Sequence, residues 1–252
     1  MLCVRDLAVG YGQEPVVEGV NLEVAAGKFV SLVGPSGSGK TSILRAVNGL
    51  LAPLSGHVEL NGSSDSLGFL FQDDALLPWR TARENVALGL RIRKVAKDAA
   101  LSEADAWLGR LGLEGFGGRF PHELSGGQRK RVAIAQILAL KPKLLLMDEP
   151  FASLDAIVRM RITQELLNWV EREHLSVLLV THDLEEALTV SDTVYLLSQG
   201  PRARVLNSYS VTIPRPRDIF ASRKHADFAP LLERLWNDMS AAMNSPEHEA
   251  YQ

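Results

Sequence analysis

A chain of 252 residues, 46% of them apolar, can bury a core without help from metal or disulfide, and its one cysteine, Cys3, excludes an intramolecular disulfide and fits a reducing compartment. The formal net charge of -3 gives no overall case for a nucleic acid or an anionic membrane surface as partner. Charge enters at Arg5 and Asp6, and no apolar run approaches the roughly 20 residues of a spanning helix. Neither a signal peptide nor a transmembrane helix is expected, so any link to a membrane would pass through another protein.

Residues 2–9 and 16–24 alternate as short strands, broken at Tyr11-Gly12 and Ala26-Gly27, which predicts a small antiparallel element. Tyr11 stands at its tip, where the ring would stack on a purine base or pack on its own hairpin. The apolar run Phe29-Val30-Ser31-Leu32-Val33 then predicts a buried strand, and the pattern from Ser42 onward predicts a helix that stops at Asn48-Gly49. Between them lies Gly34-Pro35-Ser36-Gly37-Ser38-Gly39-Lys40-Thr41. In this order of strand, glycine loop and helix, backbone N–H groups curl inward at a phosphate and the helix start, Ser42 included, adds its positive dipole end. Lys40 would reach the β- and γ-phosphates of a nucleotide, and the Thr41 hydroxyl would hold Mg²⁺.

Pro53 and Gly56 lead into a strand at 57–60, and 67–71 make a buried strand that ends at Gln72. Polar residues at such strand ends meet ligands in open α/β sheets, although Gln72 also reads as a surface residue closing a strand. From there to about residue 141 only helical spacing appears, at 85–90, 99–111 and 127–140, which predicts a helical subdomain (about 73–141) inserted in an α/β core. Leu76-Leu77-Pro78-Trp79-Arg80 at its entrance is an apolar loop, suited either to a partner or to its own domain. In Leu124-Ser125-Gly126-Gly127-Gln128 the serine and glutamine have capping-box spacing, while the glycine pair at a helix start offers free N–H groups to a second anion.

The run Leu144-Leu145-Leu146-Met147-Asp148-Glu149 predicts a strand buried on both faces that ends in two carboxylates. Adjacent strand residues point to opposite sides, so Asp148 and Glu149 are expected to face apart, the first toward Mg²⁺ and the second toward the attacking water. Ser153-Leu154-Asp155 opens a helix to about residue 173 with Asp155 as N-cap, and a strand at 176–180 ends at Thr181-His182-Asp183. There His182 would touch a γ-phosphate or serve structure alone, while Asp183 and Glu186 cap and charge the next helix. Strands follow at 194–197, 205–206 and 210–213, then Pro214-Arg215-Pro216-Arg217. Phe228, Leu231, Leu232, Leu235, Trp236, Met239 and Met243 share one helical face, and the polar end beyond Pro246 is expected to be disordered.

The glycine loop, Gln72, Leu124 to Gln128, the strand ending at Asp148 and Glu149, Asp155 and His182, in this order, resemble the nucleotide-binding domain of ABC ATPases over about residues 1–217. The resemblance implies a P-loop NTPase (RecA-like) α/β core with the N-terminal β element and inserted helical subdomain, followed by a short helical tail over 218–252. It implies ATP and Mg²⁺ as cofactors, with Tyr11 on adenine, the loop on the phosphates and Thr41, Gln72 and Asp148 near the metal. Catalysis falls to Glu149, His182 and Gln72. Ser125, Gly126, Gly127 and Gln128 would close over ATP held by a second copy, with Asp155 near the seam, so that two chains sandwich two ATP molecules.

Within that family, Leu76 to Thr81, Asp148-Glu149-Pro150-Phe151 and Pro214-Arg215-Pro216-Arg217-Asp218 look like ATPase subunits of importers for nitrate, sulfonates, taurine and similar solutes. Such a subunit works at the cytoplasmic face of the cell membrane. It would push a polytopic permease through region 72–83, which opens on Gln72 and closes on Arg83, and would serve a solute-binding protein indirectly. Gln136, where such helices carry Arg, and the stretch 199–204 depart from the pattern, and neither is expected to touch the chemistry. A soluble clamp on DNA or the ribosome is the competing expectation, but the long coiled-coil insertion or second ATPase domain such clamps use is not in this sequence.

Overall fold

The computed structural model describes residues 1–61, 66–152 and 154–243; Ser153 and the polar end beyond Pro246 lie outside the described residues. An antiparallel sheet comes first, from β1 (Leu2–Tyr11) and β2 (Glu14–Val24). Then come β3 (Phe29–Val33), α1 (Lys40–Val47), β4 (Ser55–Leu60) and β5 (Leu67–Leu70). Helices α2 (Ala82–Ile92), α3 (Lys97–Arg110) and α4 (Gly126–Leu138) follow without an intervening strand. Alternation resumes with β6 (Leu144–Asp148), α5 (Ala156–Glu173), β7 (Ser176–Val180), α6 (Leu184–Val190), β8 (Thr193–Leu197) and β9 (Val205–Ser210). Two helices close the chain, α7 (Ile219–Arg223) and α8 (Phe228–Met243). Among the described residues no helix is long and apolar enough to cross a membrane.

The main sheet runs β5-β6-β7-β3-β8-β9, with β9 antiparallel to β8 and the other neighbours parallel. Every residue of β3, β6 and β7 is buried, as unbroken apolar runs require when both faces are covered. The alternation of side chains divides these strands between two layers. Val30, Leu32, Leu144, Leu146, Leu178 and Val180 pack with α1 and the antiparallel sheet. Leu145, Met147, Val177 and Leu179 join α5 and the helices α2 to α4 on the other side. One apolar cluster therefore runs from the parallel strands into the helical segment.

The strand around 57–60, to which the sequence assigns no sheet, pairs with β1, giving the order β2-β1-β4. Two details differ from the sequence reading. Residues 205–206 and 210 belong to one strand, β9, while 211–213 lie beyond it, Val211 donating its N–H to the Asp192 carbonyl. The apolar stripe of α8 is narrower than its composition suggests: Phe228, Leu235 and Met239 are buried against α6 and the end of β9, whereas Trp236 and Met243 are exposed.

Asp192, between α6 and β8, fastens the closing segment to the sheet. Its carboxylate accepts from the Phe29 N–H (2.9 Å), from Arg215 (2.6 and 3.1 Å) and from Arg217 (3.0 Å). Arg217 also donates to the carbonyls of Val190 and Ile213, while its buried Nε has no hydrogen-bond partner among the described residues. Burial by itself would raise the Asp192 pKa, but the Phe29 N–H and the two guanidinium groups outweigh it and hold the carboxyl below its usual range. A carboxyl lowered in the folded state adds stability above its unfolded pKa, and that contribution disappears as pH falls through the native value. Asp192→Asn is expected to cost roughly 3 kcal/mol at pH 7 in urea titration, because Arg217 is left buried without its counter-ion. The gap from wild type should shrink as pH falls below about 4.

Candidate active site

The parallel strands all present their carboxyl ends at one edge of the sheet, and the candidate residues gather there. β3 leads into the glycine loop. Gly37 and Gly39 take φ of +78° and +84°, and a Cβ on Gly39 would lie 2.5 Å from Val17 of β2, so this position needs glycine for conformation and for space. Pro35 and Ser38 are buried, Ser36 and Gly37 face outward, and Gly34 sits against Leu197 at the end of β8. Lys40, the first residue of α1, folds its ammonium back under the loop, where it donates to the carbonyls of Gly34 (2.9 Å) and Pro35 (2.8 Å). Burial lowers its pKa, and the carboxylates of Glu149 and Asp148 partly oppose that shift.

Thr41 Oγ1 donates to Asp148 Oδ1 at 3.0 Å. Asp148 ends β6 nearly buried, and desolvation raises its pKa against the Thr41 hydrogen bond, with the Glu149 charge adding to the rise. Glu149 does not continue the strand. Its φ is +42°, so it leaves the extended backbone on which the expected facing-apart of Asp148 and Glu149 rests, while its N–H still donates to the Val180 carbonyl at 2.9 Å; the two carboxylates meet different partners, Thr41 and His182. Glu149 Oε2 lies 3.0 Å from Nδ1 of His182, whose side chain is 61% exposed and therefore open to a ligand. Thr41, Asp148, Glu149, His182 and Lys40 thus form one polar edge.

Tyr11 is exposed at the end of β1 and is not packed into its hairpin; its hydroxyl accepts from Arg45 (2.8 Å) and lies 3.5 Å from Ser42 Oγ. Beside it a groove of about 380 Å³ is lined by Tyr11, Pro15, Val16, Gly37, Gly200 and Pro201, among others. Of the stretch 199–204, Gln199, Gly200 and Pro201 wall this groove, and a Cβ on Gly200 would come within 3.1 Å of the Gly37 carbonyl. Ala203 is fixed to β2 by hydrogen bonds with Val16 and Glu18, which carries the stretch to the loop. Among the described residues no hydrogen bond or ion pair links Gln136 on α4 to the site.

Gln72 is exposed, and among the described residues no hydrogen bond joins its side chain to Thr41, Asp148 or Glu149; the structure fixes its carbonyl instead. The holder is Lys130 of α4, fully buried, whose Nζ reaches the carbonyls of Gln72 (3.0 Å) and Phe71 (3.5 Å) and the carboxylate of Asp74 (2.9 Å). Sequence reasoning missed Lys130 because Arg129-Lys130-Arg131 reads as a solvated helix face. Asn85 was missed as well: fully buried, it accepts from the Leu77 N–H and donates to the carbonyls of Leu77, Arg80 and Thr81, pinning the loop that presents Trp79 at 71% exposure.

At the start of α4 the capping box is present, with Ser125 and Gln128 exchanging hydrogen bonds. No hydrogen bond or ion pair among the described residues joins Ser125, Gly126, Gly127 or Gln128 to the glycine loop. Asp155 caps α5 as expected, accepting from Ile157 and Val158 N–H, and a Cβ on Gly127 would come within 2.7 Å of Val158. The starts of α4 and α5 are therefore in contact.

A family model described as ABC transporter matches residues 17–152. The taurine import ATP-binding protein TauB of Escherichia coli (strain K12) is 40% identical over 220 residues, 85% of this chain and 86% of that one. The sulfate/thiosulfate import ATP-binding protein CysA of Synechocystis is 41% identical over 207 residues, 79% of this chain but only 58% of that longer relative. Among solved structures, the dimeric post-hydrolysis state of the ATP-binding cassette MJ0796 bound to ADP and Pi superposes with a TM-score of 0.74 at 31% identity, covering 85% of this chain and all of that one.

Lys130→Met removes the ammonium that donates to the carbonyls of Phe71 and Gln72 and to the Asp74 carboxylate, and it leaves Asp74 with Arg129 at 3.5 Å. Hydrogen exchange should then accelerate by roughly tenfold in region 71–77 and remain unchanged in β6 and β7, the local opening that loss of one buried tie predicts. Uniform acceleration across the chain would mean that Lys130 supports the fold and has no special hold on the Gln72 turn.

Proposed function

Because this chain belongs to the ABC transporter family, we infer that it is the ATP-hydrolysing subunit that powers import of a small solute through a separate membrane subunit. The observation that carries this reading is the meeting of the Thr41–Asp148 and Glu149–His182 pairs beside the glycine loop at one sheet edge. Taurine and sulfate in the names of relatives near 40% identity favour a sulfonate, taurine, nitrate or similar small anion as the solute.

Phosphates of ATP would lie on the N–H groups of residues 34–42, with Lys40 turning from its loop carbonyls to the β- and γ-oxygens. Tyr11 offers the exposed ring for adenine, and the groove beside it takes the base. The oxygen donors of Thr41 and Asp148 fit Mg²⁺, which prefers hard oxygens and uses few protein carboxylates when phosphates supply the rest. Bound there, the metal would neutralise charge developing on the phosphates. Glu149 orients and deprotonates the water, His182 donates toward the γ-phosphate, and Gln72 reports the state of this centre to region 72–83. Ser125 and Gly126 are exposed at the start of α4, and among the described residues nothing joins the segment from Ser125 to Gln128 to the glycine loop of its own chain, which supports an ATP sandwich completed by a second copy. Trp79 and its pinned loop offer the permease a preformed apolar contact at the cytoplasmic face of the membrane.

Glu149→Gln is expected to retain ATP binding while turnover falls by about 10²–10⁴, the range for loss of a general base, and the ATP-loaded variant should sediment as a dimer. Hydrolysis at the wild-type rate would remove Glu149 from its role. Ser125→Arg should leave ATP affinity of the monomer within about twofold and abolish the ATP-dependent dimer through bulk and charge at the seam. A normal ATPase rate in that variant would show that the site is complete in one chain. Isolation of the tagged chain from its membranes in mild detergent should bring a polytopic subunit with it; exclusively soluble partners would keep the ATPase chemistry and discard import.

A further inference from the structure

Beside the Glu149–His182 pair lies a small cavity of about 40 Å³, lined by Glu149, Phe151, Arg159, His182, Asp183 and Glu186 with Ala152 and Thr181. That volume seats one water molecule. Two polar atoms at its wall, Glu186 Oε1 and Arg159 Nε, are shielded from solvent and have no hydrogen-bond partner in the protein. The other oxygen of Glu186 is engaged. Oε2 accepts from Thr181 Oγ1 at 2.5 Å; Thr181 Oγ1 accepts from the Asp183 N–H (3.1 Å), and Asp183 Oδ1 accepts from the Glu186 N–H (3.0 Å). This ring holds the residues on both sides of His182.

We propose that Glu186 is a positioning residue of the hydrolytic centre: it locks the 181–183 turn so that His182 stays on Glu149, and its free oxygen holds a water shared with that pair. The inference rests on the ATPase reading of the site. Sequence reasoning assigned Glu186 to helix capping and charge; the structure gives the cap to Asp183 and turns Glu186 inward.

Charged groups face Glu186 from each neighbouring element. Asp183 and His182 come from the turn before α6, Arg159 from α5 and Glu149 from the loop after β6. Desolvation pushes the Glu186 carboxyl up to about 7, with the Thr181 hydroxyl, Arg159 and His182 opposing and Asp183 adding. A proton on Oε1 lets the acid donate to the cavity water while Oε2 still accepts from Thr181. Loss of that proton adds a negative charge beside Glu149 and reverses the water. The hydrolytic pair therefore sits against a group that changes state near neutral pH.

The test uses the purified full-length chain and follows ATPase rate against pH together with side-chain carboxyl resonances of ¹³C-labelled glutamate, assigned with Glu186→Gln. Expected is one glutamate titrating near pH 7 and absent from the variant, with a wild-type kcat profile showing one ionisation more than that of Glu186→Gln. Glu186→Ala should lose about tenfold in kcat with KM within twofold, and Glu186→Gln, which keeps an acceptor for Thr181, should recover most of that loss. A Glu186 resonance titrating near 4.5 overturns the buried carboxyl, and a Glu186→Gln profile identical to wild type overturns its action on the site. If Glu186→Ala does not fold, the glutamine variant alone decides. Failure of the wild-type chain to hydrolyse ATP would instead bring down the reading of the site, a result distinct from either because the titration is read without turnover.

Discussion

One hydrogen bond, from Thr41 to Asp148, joins the two sides of the sheet edge, between residues 107 positions apart. It forms only if the helix after β3 and the end of β6 arrive at the same height, and that requires β7 to lie between the two strands in register. The continuous burial of β3, β6 and β7 provides that register, since a slip by one residue would exchange the side chains packed against α1 with those packed against α5. Hydrophobic order in the sheet is thus converted into the spacing of two oxygens on opposite flanks of a ligand site.

A second layer of construction links that edge to the helical segment. Lys130 joins the end of β5 to α4, while Gly127 lets α4 meet α5 at Val158. Between them, the turn at Gln72 and the capped helix starts at Ser125 and Asp155 are mechanically connected. Movement of the helical segment on the sheet would shift these three together, although their side chains share no hydrogen bond. The shared apolar cluster makes such movement a sliding of packed surfaces rather than a separation.

The sequence reveals the parts of the molecule in which local chemistry decides structure. Unbroken apolar runs identify β3, β6 and β7, a glycine that no other residue can replace marks the loop at Gly39, and Asp155 announces its helix. It conceals the parts decided by distant neighbours. Alternation identifies β4 as a strand but cannot say that β1 receives it, because the exposed edge of either sheet would satisfy the same pattern. The backbone turn at Glu149 breaks the strand rule one residue after it last applies. Lys130 and Glu186 look like ordinary surface charges in their helices, and only partners far along the chain or across a turn reveal that one is sealed and the other turned inward.

The arrangement around Asn85 bears on the permease contact proposed for the Trp79 loop. With its amide saturated by the backbone of the loop it faces, the loop carrying Trp79 is already in one shape. Most flexible contact loops must surrender conformational freedom when they bind, and that loss subtracts from affinity. Here the ordering took place during folding, inside the chain itself. A docking surface built this way behaves as a rigid tooth: it tolerates little variation in the socket, transmits displacement without absorbing it, and makes recognition depend on shape.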